Sequence, residues 1–352
     1  MLNQHFETIG LSSPGKDLAL VEKREGIRTI EVPMKRDIHL WHDLYSLFNL
    51  IKVFIREKPY MVHANTPKGS LLSMIAGFIT FVPIRIYTIT GLRYESEIGF
   101  KRRLLISMER LTCAFATNVI AESKGVQQMI INDRLFSGKA QIIGNGNING
   151  LNANYWNPEE INIDQKIALR YKNAIERDDF VFIFIGRLVG DKGINELVKA
   201  FVPYKNSSVK LLLVGSMEPD LDPLEEDVLQ EIDSNPNIMA IGFQADVRLF
   251  LCIAHSLILP SYREGFPNVL LQAGAMGLPL ISTDINGAID LIIEGRNGLI
   301  IKKKNVGELE AAMKYMIENY NNFDSKVCRE DVISRYSQAY YYPKLLKFYK
   351  GL

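Results

Sequence analysis

A chain of 352 residues, 47% apolar and 23% charged, has room for two ordinary domains with large cores, and this composition excludes a disordered or fibrous protein. A net charge of +1 argues against a polyanion-binding surface over the whole molecule, so nucleic acid is not an expected partner. The charge is divided, however: residues 1–150 hold 19 Lys+Arg against 13 Asp+Glu (+6), and the remainder 22 against 27 (−5). The first half suits an anionic lipid or acceptor surface, or plain solvation.

In chain order, apolar runs predict strands at 8–11 and 26–32, and helical spacing predicts a helix over 40–56. A strand at 60–64, a helix over 70–80 and a strand at 84–90 follow. The uncharged run 69–84 is broken by Pro83 and falls short of the roughly 20 residues of a bilayer span. Then come a helix over 102–116, a strand at 118–121, a helix over 123–131 and a strand at 140–143. Such alternation predicts α/β domains with covered parallel sheets. The Asn- and Gly-rich stretch 145–154 reads as a linker or hinge. A second α/β series has strands at 180–185, 209–214, 238–241, 256–259, 280–282 and 298–301. Its helices lie over 193–202, 224–233, 246–252, 269–276, 287–293, 306–319 and 330–350. The expected domains are 1–147, 148–330 and a terminal helix, 331–352, crossing back to the first domain.

Two strand-to-helix loops of the second series carry chemistry. Pro260-Ser-Tyr-Arg-Glu-Gly-Phe-Pro267 follows strand 256–259 and precedes a helix for which Asn268 is a natural N-cap. Such a helix start suits an anion, while the lone acid, Glu264, suits hydroxyl groups; together they suggest a nucleotide-sugar. Gly186-Arg-Leu-Val-Gly-Asp-Lys-Gly193 follows strand 180–185, and its Arg187 and Lys192 suit a diphosphate. Lys192 is followed by Gly193, so this is not a Walker A loop, and Gly144–Gly150 has the wrong spacing for a dinucleotide fingerprint.

Asp220-Leu-Asp222 has the form of a metal-binding DxD, but Asp222 before Pro223 reads better as a helix N-cap. His39 and His42 lack a third ligand, and no metal is expected. Three scattered cysteines, Cys113, Cys252 and Cys328, fit a reducing compartment, and Met1–His5 does not resemble a signal peptide. The expected location is cytoplasmic, with a peripheral contact on the membrane's inner face left open. In the first series, the loops after two strands offer His63, Thr66 and Lys68, and Arg93, Glu95 and Glu97, as acceptor-side residues. Lys101-Arg-Arg103 suits lipid or acceptor phosphates, or a solvated helix start.

Gly186-Arg187, Lys192-Gly193, Gly215, Gly242-Phe243, Pro260-Ser261 and Glu264-Gly-Phe-Pro-Asn268 resemble the retaining GT-B glycosyltransferases of family 4, in particular the bacterial capsular, exopolysaccharide and glycan-assembly enzymes. The resemblance covers nearly the whole chain and is most specific over 180–300. It implies two Rossmann-like domains facing across a cleft, with acceptor on the first and nucleoside-diphosphate sugar on the second. Arg187, Lys192 and Glu264 are then catalytic. Gly186, Gly215, Gly242, Phe243, Gly265, Phe266, Pro267, Asn268 and Gln272 are donor-binding. The implied reaction transfers a sugar to a glycan or polyprenyl-diphosphate-linked acceptor with retention, without metal or cofactor, UDP-sugar being favoured over GDP-sugar. The alternatives are a non-catalytic nucleotide-sugar-binding remnant and a GT-B-fold epimerase.

The chain departs from the family in three places. Gln272 stands where a second glutamate is usual, which weakens or alters ribose recognition. Thr90-Gly91 stands where many members have His-Gly. The opening strand, glycine loop and helix of the family have no match, and Met1–Phe6 looks like the tail of that helix. The expectation is a fragment or misplaced start lacking roughly 25–30 residues. A sheet without its central strand leaves backbone groups unpaired, at about 1–3 kcal/mol for each buried one.

Overall fold

The computed structural model describes residues 2–35, 39–220 and 222–352, which fall into two compact units, Met1–Ile143 with Tyr342–Leu352, and Gly144–Tyr341. Every paired strand runs parallel to its neighbour. In the first unit these are β1 (Ile9–Ser12), β2 (Arg28–Glu31), β3 (Met61–Ala64), β4 (Ile84–Ile89) and β5 (Asn118–Ala121). The second unit has β6 (Phe180–Ile185), β7 (Val209–Val214), β8 (Ile238–Gly242), β9 (Ser256–Leu259), β10 (Leu280–Thr283) and β11 (Gly298–Ile301).

The second unit is one sheet in the order β11-β10-β9-β6-β7-β8. The chain winds one way from β6 through β7 to β8, then returns to place β9 on the other side of β6. This is the Rossmann order, and its switch point lies between β6 and β9. Helices cover both faces, so the strands are apolar throughout: Phe182–Phe184, Leu211–Leu213, Leu257 and Ile258 have no solvent exposure.

In the first unit the strands form two separate sheets, β1-β2 and β3-β4-β5. Among the described residues no strand joins β1 to β3. Leu11, Ile30 and Val62 from the two sheets still pack on one apolar cluster built by Leu50 and Phe54 of the helix Leu40–Glu57 and Leu72 and Ala76 of the helix Pro67–Ile79.

Several expectations are corrected. Helices Lys16–Glu25 and Ile163–Lys172 form where the sequence pattern predicts none. The strand expected at 140–143 is a single bridge from Gln141 to Ile120. The helix expected over 330–350 is two, Ser325–Tyr336 and Gln338–Lys350, parted at Ser337 where Gln338 N–H bonds to Leu151 O (2.8 Å). The Asn-rich stretch is an ordered loop of the second unit. Asn147 is buried at φ 59° and its Oδ1 accepts from the Asn149 and Gly150 amides.

One half-buried contact of the second unit is sensitive to acid. His255 Nδ1 accepts the Val181 amide proton at 2.9 Å, while its ring stacks on Phe180 with centroids 4.7 Å apart. Burial, with Arg170 adding repulsion, lowers its pKa to about 4. Folding thus favours neutral imidazole; this contribution is complete above the unfolded value near 6.5 and declines as pH falls toward 4. Urea unfolding of wild type should lose about 1–2 kcal/mol more between pH 7 and 4.5 than His255→Asn, which keeps an acceptor without the titration. Equal pH dependence in the two proteins would refute this.

Candidate active site

The loops after β6 and β9 meet at the switch point. Gly193 (φ 73°) ends the first loop and starts the helix Ile194–Phe201. A Cβ there would lie 2.2 Å from the Pro260 carbonyl oxygen, so only glycine lets the two loops approach this closely. Tyr262 N–H then donates to Asp191 O at 2.9 Å, and Tyr262 Oη donates to Glu196 at 2.6 Å. These contacts bring Lys192 and Glu264 together as an ion pair whose side chains are only 18% and 22% exposed.

The loop after β7 grips the same region from the other side. Gly215 (φ 155°) has its α-carbon so near the Gly186 carbonyl that a Cβ would lie 1.7 Å from that oxygen. A further bridge pairs Leu188 with Met217. Arg187 Nη1 therefore faces Glu218 Oε2 at 2.7 Å, and this hydrogen bond raises the guanidinium pKa. Asp222 Oδ2 accepts the Asp191 amide proton at 2.6 Å. This corrects the expected N-cap: the helix here is Glu226–Ser234 with Glu225 at its cap, and Asp222 clamps the Arg187–Lys192 loop instead. Asp220 and Asp222 flank Leu221, which lies outside the described residues, so the Asp220-Leu-Asp222 motif is not described as a whole.

The helix after the Glu264 loop is Asn268–Ala275, capped by Pro267, so Asn268 is its first residue and not its N-cap. Its Oδ1 accepts from the buried Asn147 amide at 2.7 Å. Gln272 stands one turn later on the same helix and is half-buried. Phe266 is buried against the Tyr336 ring (5.3 Å), and Gly265 and Pro267 are buried beside it, so this loop offers backbone rather than that ring. Gly242 (φ 76°) ends β8, and the next residue, Phe243, is 74% exposed. Gly186 and Gly215 directly follow β6 and β7.

The remaining predicted residues belong to the first unit. His63 lies within β3, with both ring nitrogens engaged, by Tyr349 Oη at 2.5 Å and Thr88 Oγ1 at 2.6 Å. It ties the chain's last helix to β3 and β4. Thr66 caps the helix Pro67–Ile79, and Lys68 in its first turn pairs with Asp43. Arg93 and Glu95 sit on the short turn Arg93–Ser96, and Glu97 pairs with Lys101 at 2.7 Å.

Sequence reasoning missed Glu218, the true partner of Asp222, Asn147 and Tyr349. Only the spacing of Glu218 and Asp222 behind the glycine that follows β7 hinted at a second acidic loop.

The site thus presents two cations, each paired with a carboxylate, a helix start and an exposed aromatic at the carboxyl ends of adjacent parallel strands. Comparison with known proteins bears on what such a site serves. Residues 165–330 match the profile of glycosyl transferases group 1, and residues 10–146 match a glycosyl transferase 4-like domain. The chain is 35% identical over 346 residues to the capsular polysaccharide biosynthesis glycosyltransferase CapM of Staphylococcus aureus, covering 93% of this chain and 88% of that one. It is 24% identical to the UDP-Gal:alpha-D-GlcNAc-diphosphoundecaprenol alpha-1,3-galactosyltransferase of Escherichia coli, over 89% of this chain and 81% of that one. The crystal structure of Anabaena HepE in complex with UDP superposes with a TM-score of 0.82 at 18% identity, covering 98% of this chain and 92% of that one, which speaks to the fold. With both units matched and CapM alike along almost its full length, the chain belongs to the GT-B glycosyltransferases of family 4.

Proposed function

We propose that this glycosyltransferase moves a sugar from a UDP-sugar to a lipid-linked glycan, with retention of anomeric configuration and without a metal. The observation that carries the donor side is the meeting of Lys192 and Glu264 at the switch point, with Arg187 on the same loop as Lys192. A diphosphate placed there takes charge-assisted bonds from both cations. Glu264, freed from Lys192, then accepts from sugar hydroxyls. Phe243 offers an exposed ring on which a base can stack. The Escherichia coli relative is named for a UDP-sugar donor and a diphosphoundecaprenol-linked acceptor, and HepE was solved with UDP; both support this choice.

Negative charge grows on the departing diphosphate in the transition state, and Arg187 and Lys192 stabilise it there. Departure and attack on the same face give retention. The acceptor hydroxyl oxygen bonds to the anomeric carbon as the bond to the diphosphate breaks, and the hydroxyl proton passes to the departing diphosphate oxygen.

Arg187→Ala and Lys192→Ala should each lower turnover about tenfold or more, read as nucleoside diphosphate release with acceptor present; near-normal turnover in both would sink the assignment. EDTA should leave the rate within about twofold, the cations standing in for a metal, and loss of activity restored by a divalent ion would refute metal independence.

Asp222 acts by holding the loop. Asp222→Ala should raise the donor KM about three- to tenfold with less change in kcat, whereas Asp222→Asn, which keeps an acceptor for the Asp191 amide, should stay near wild type. A parallel loss in both variants would count against a positioning role.

One observation favours a second reading. The parted sheet of the first unit fits a chain that binds donor without turning it over. Calorimetry with UDP and GDP beside the release assay separates the two: binding with no release under any acceptor supports the second.

A further inference from the structure

The loop 145–150 opens the second unit, and its backbone is pinned at both ends. The Asn145 side-chain amide donates to Arg335 O at 3.2 Å, and Leu151 N–H donates to Tyr336 O at 2.8 Å. A Cβ on Gly150 (φ 61°) would lie 3.0 Å from the Gln338 α-carbon, so the loop sits against the backbone there. Asn147 stands inside this frame, 3% exposed and at φ 59°, a conformation that asparagine tolerates better than most residues.

The helix start that Asn147 faces is held as firmly. Phe266 is buried against Tyr336, and a Cβ on Gly287 (φ 75°) would lie 2.8 Å from the Phe266 α-carbon and from Pro267 Cδ. Asn268, next in the chain, therefore has a fixed backbone too. What stays open is the orientation of its side-chain amide, which can turn either its oxygen or its nitrogen toward Asn147.

Asn147 settles that orientation. Its Oδ1 accepts two backbone amide protons, from Asn149 at 3.0 Å and from Gly150 at 2.9 Å. An amide nitrogen cannot accept a proton, so these backbone groups fix which end of Asn147 is the oxygen. Its Nδ2 is left facing Asn268, which must answer with its own oxygen, at 2.7 Å. The Asn268 nitrogen is thereby turned away from Asn147. It belongs to an exposed residue at the first position of the helix Asn268–Ala275, four residues after Glu264. Among the described residues Asn268 makes no other side-chain hydrogen bond.

We propose that Asn147 is a positioning residue for the nucleotide donor, holding Asn268 so that its side-chain N–H groups face the ligand. The backbone N–H groups of the helix start are donors as well, and together they suit an anion. The partner is then an oxygen of the donor's diphosphate, while Glu264, an acceptor, is left for sugar hydroxyls. Were Asn268 to turn over, its oxygen would meet the phosphate, acceptor against acceptor, and binding would suffer. The inference rests on the donor site proposed above and deepens it.

Asn147→Asp forces that turn. The carboxylate still takes the Asn149 and Gly150 amide protons but has none to give, so Asn268 must swing its nitrogen inward. Calorimetry with UDP should show binding about tenfold weaker than wild type, and Asn268→Ala should do the same. Placed on Asn268→Ala, Asn147→Asp should add less than about twofold, because its effect passes through Asn268. A carboxylate acting by its charge alone, or a loop merely loosened, would add its full loss there. Thermal melts show which variants fold. If Asn147→Asp does not, Asn147→Gly, which suits φ 59°, replaces it and should weaken UDP binding about threefold, again with no further loss on Asn268→Ala. Wild-type UDP affinity in the Asn147 variant, or losses that multiply in the double variant, would overturn the proposal while leaving the donor reading intact. A wild-type protein that does not bind UDP would overturn that reading and this inference with it.

Discussion

The donor end of this molecule depends on two parallel strands, β6 and β9, lying side by side while the chain winds away from them in opposite directions. Their loops cannot cross over one another, so both emerge at the same edge and converge. How closely they converge is a matter of atoms. With no side chain at Gly193, the turn that carries Lys192 sits against the Pro260 carbonyl, and with none at Gly215 the loop after β7 closes on Gly186. The cations follow from this approach. Displace the backbone by the width of a methyl group and Lys192 no longer reaches Glu264.

The two ion pairs differ in kind from the backbone clamps around them. Arg187 is 46% exposed and its partner Glu218 is 29% exposed, so their attraction is screened and contributes up to about 1 kcal/mol. Lys192 and Glu264 are better shielded but still reach water. In the proposed function a doubly charged diphosphate competes with both pairs, because it offers more acceptor oxygens to the same cations. On that proposal the carboxylates hold the cations extended until the diphosphate takes them. Asp222 has the opposite role. It bonds to a backbone amide and stays bonded whichever anion the cations face.

The strands were the most legible part of the fold. The strands at 118–121, 180–185, 209–214, 256–259 and 298–301 stand where the sequence places them, because a strand covered on both faces is apolar along its whole length. The missed helices are those that bury least: Lys16–Glu25 buries only Leu18 among its ten residues, and Ile163–Lys172 buries none, so neither shows a clear apolar face. The site was legible in the same partial way. Glycines, cations and an acid at strand ends mark loops suited to an anion. Their partners do not show, because Glu218 and Asp222 lie 31 residues from the groups they hold and Asn147 lies 121 from Asn268. Local rules gave Asp222 and Asn268 to helix caps; tertiary contacts use both side chains otherwise.

The two units apply different physics. In the second, a continuous buried sheet fixes polar loops to within a hydrogen bond, and the exposed ring of Phe243 is an isolated apolar feature at the strand ends. In the first, among the described residues, β1 pairs only with β2 and β3 only with β4, so each keeps one backbone edge without a strand partner there. What joins the two sheets is apolar packing under the helix Leu40–Glu57, while the His63 contacts fasten the last helix to β3 and β4. The inner side of Leu40–Glu57 is therefore needed for the fold and cannot also serve a partner. Its outer side leaves Trp41, Tyr45, Phe48 and Ile55 exposed, apolar surface that the packing of the unit does not use.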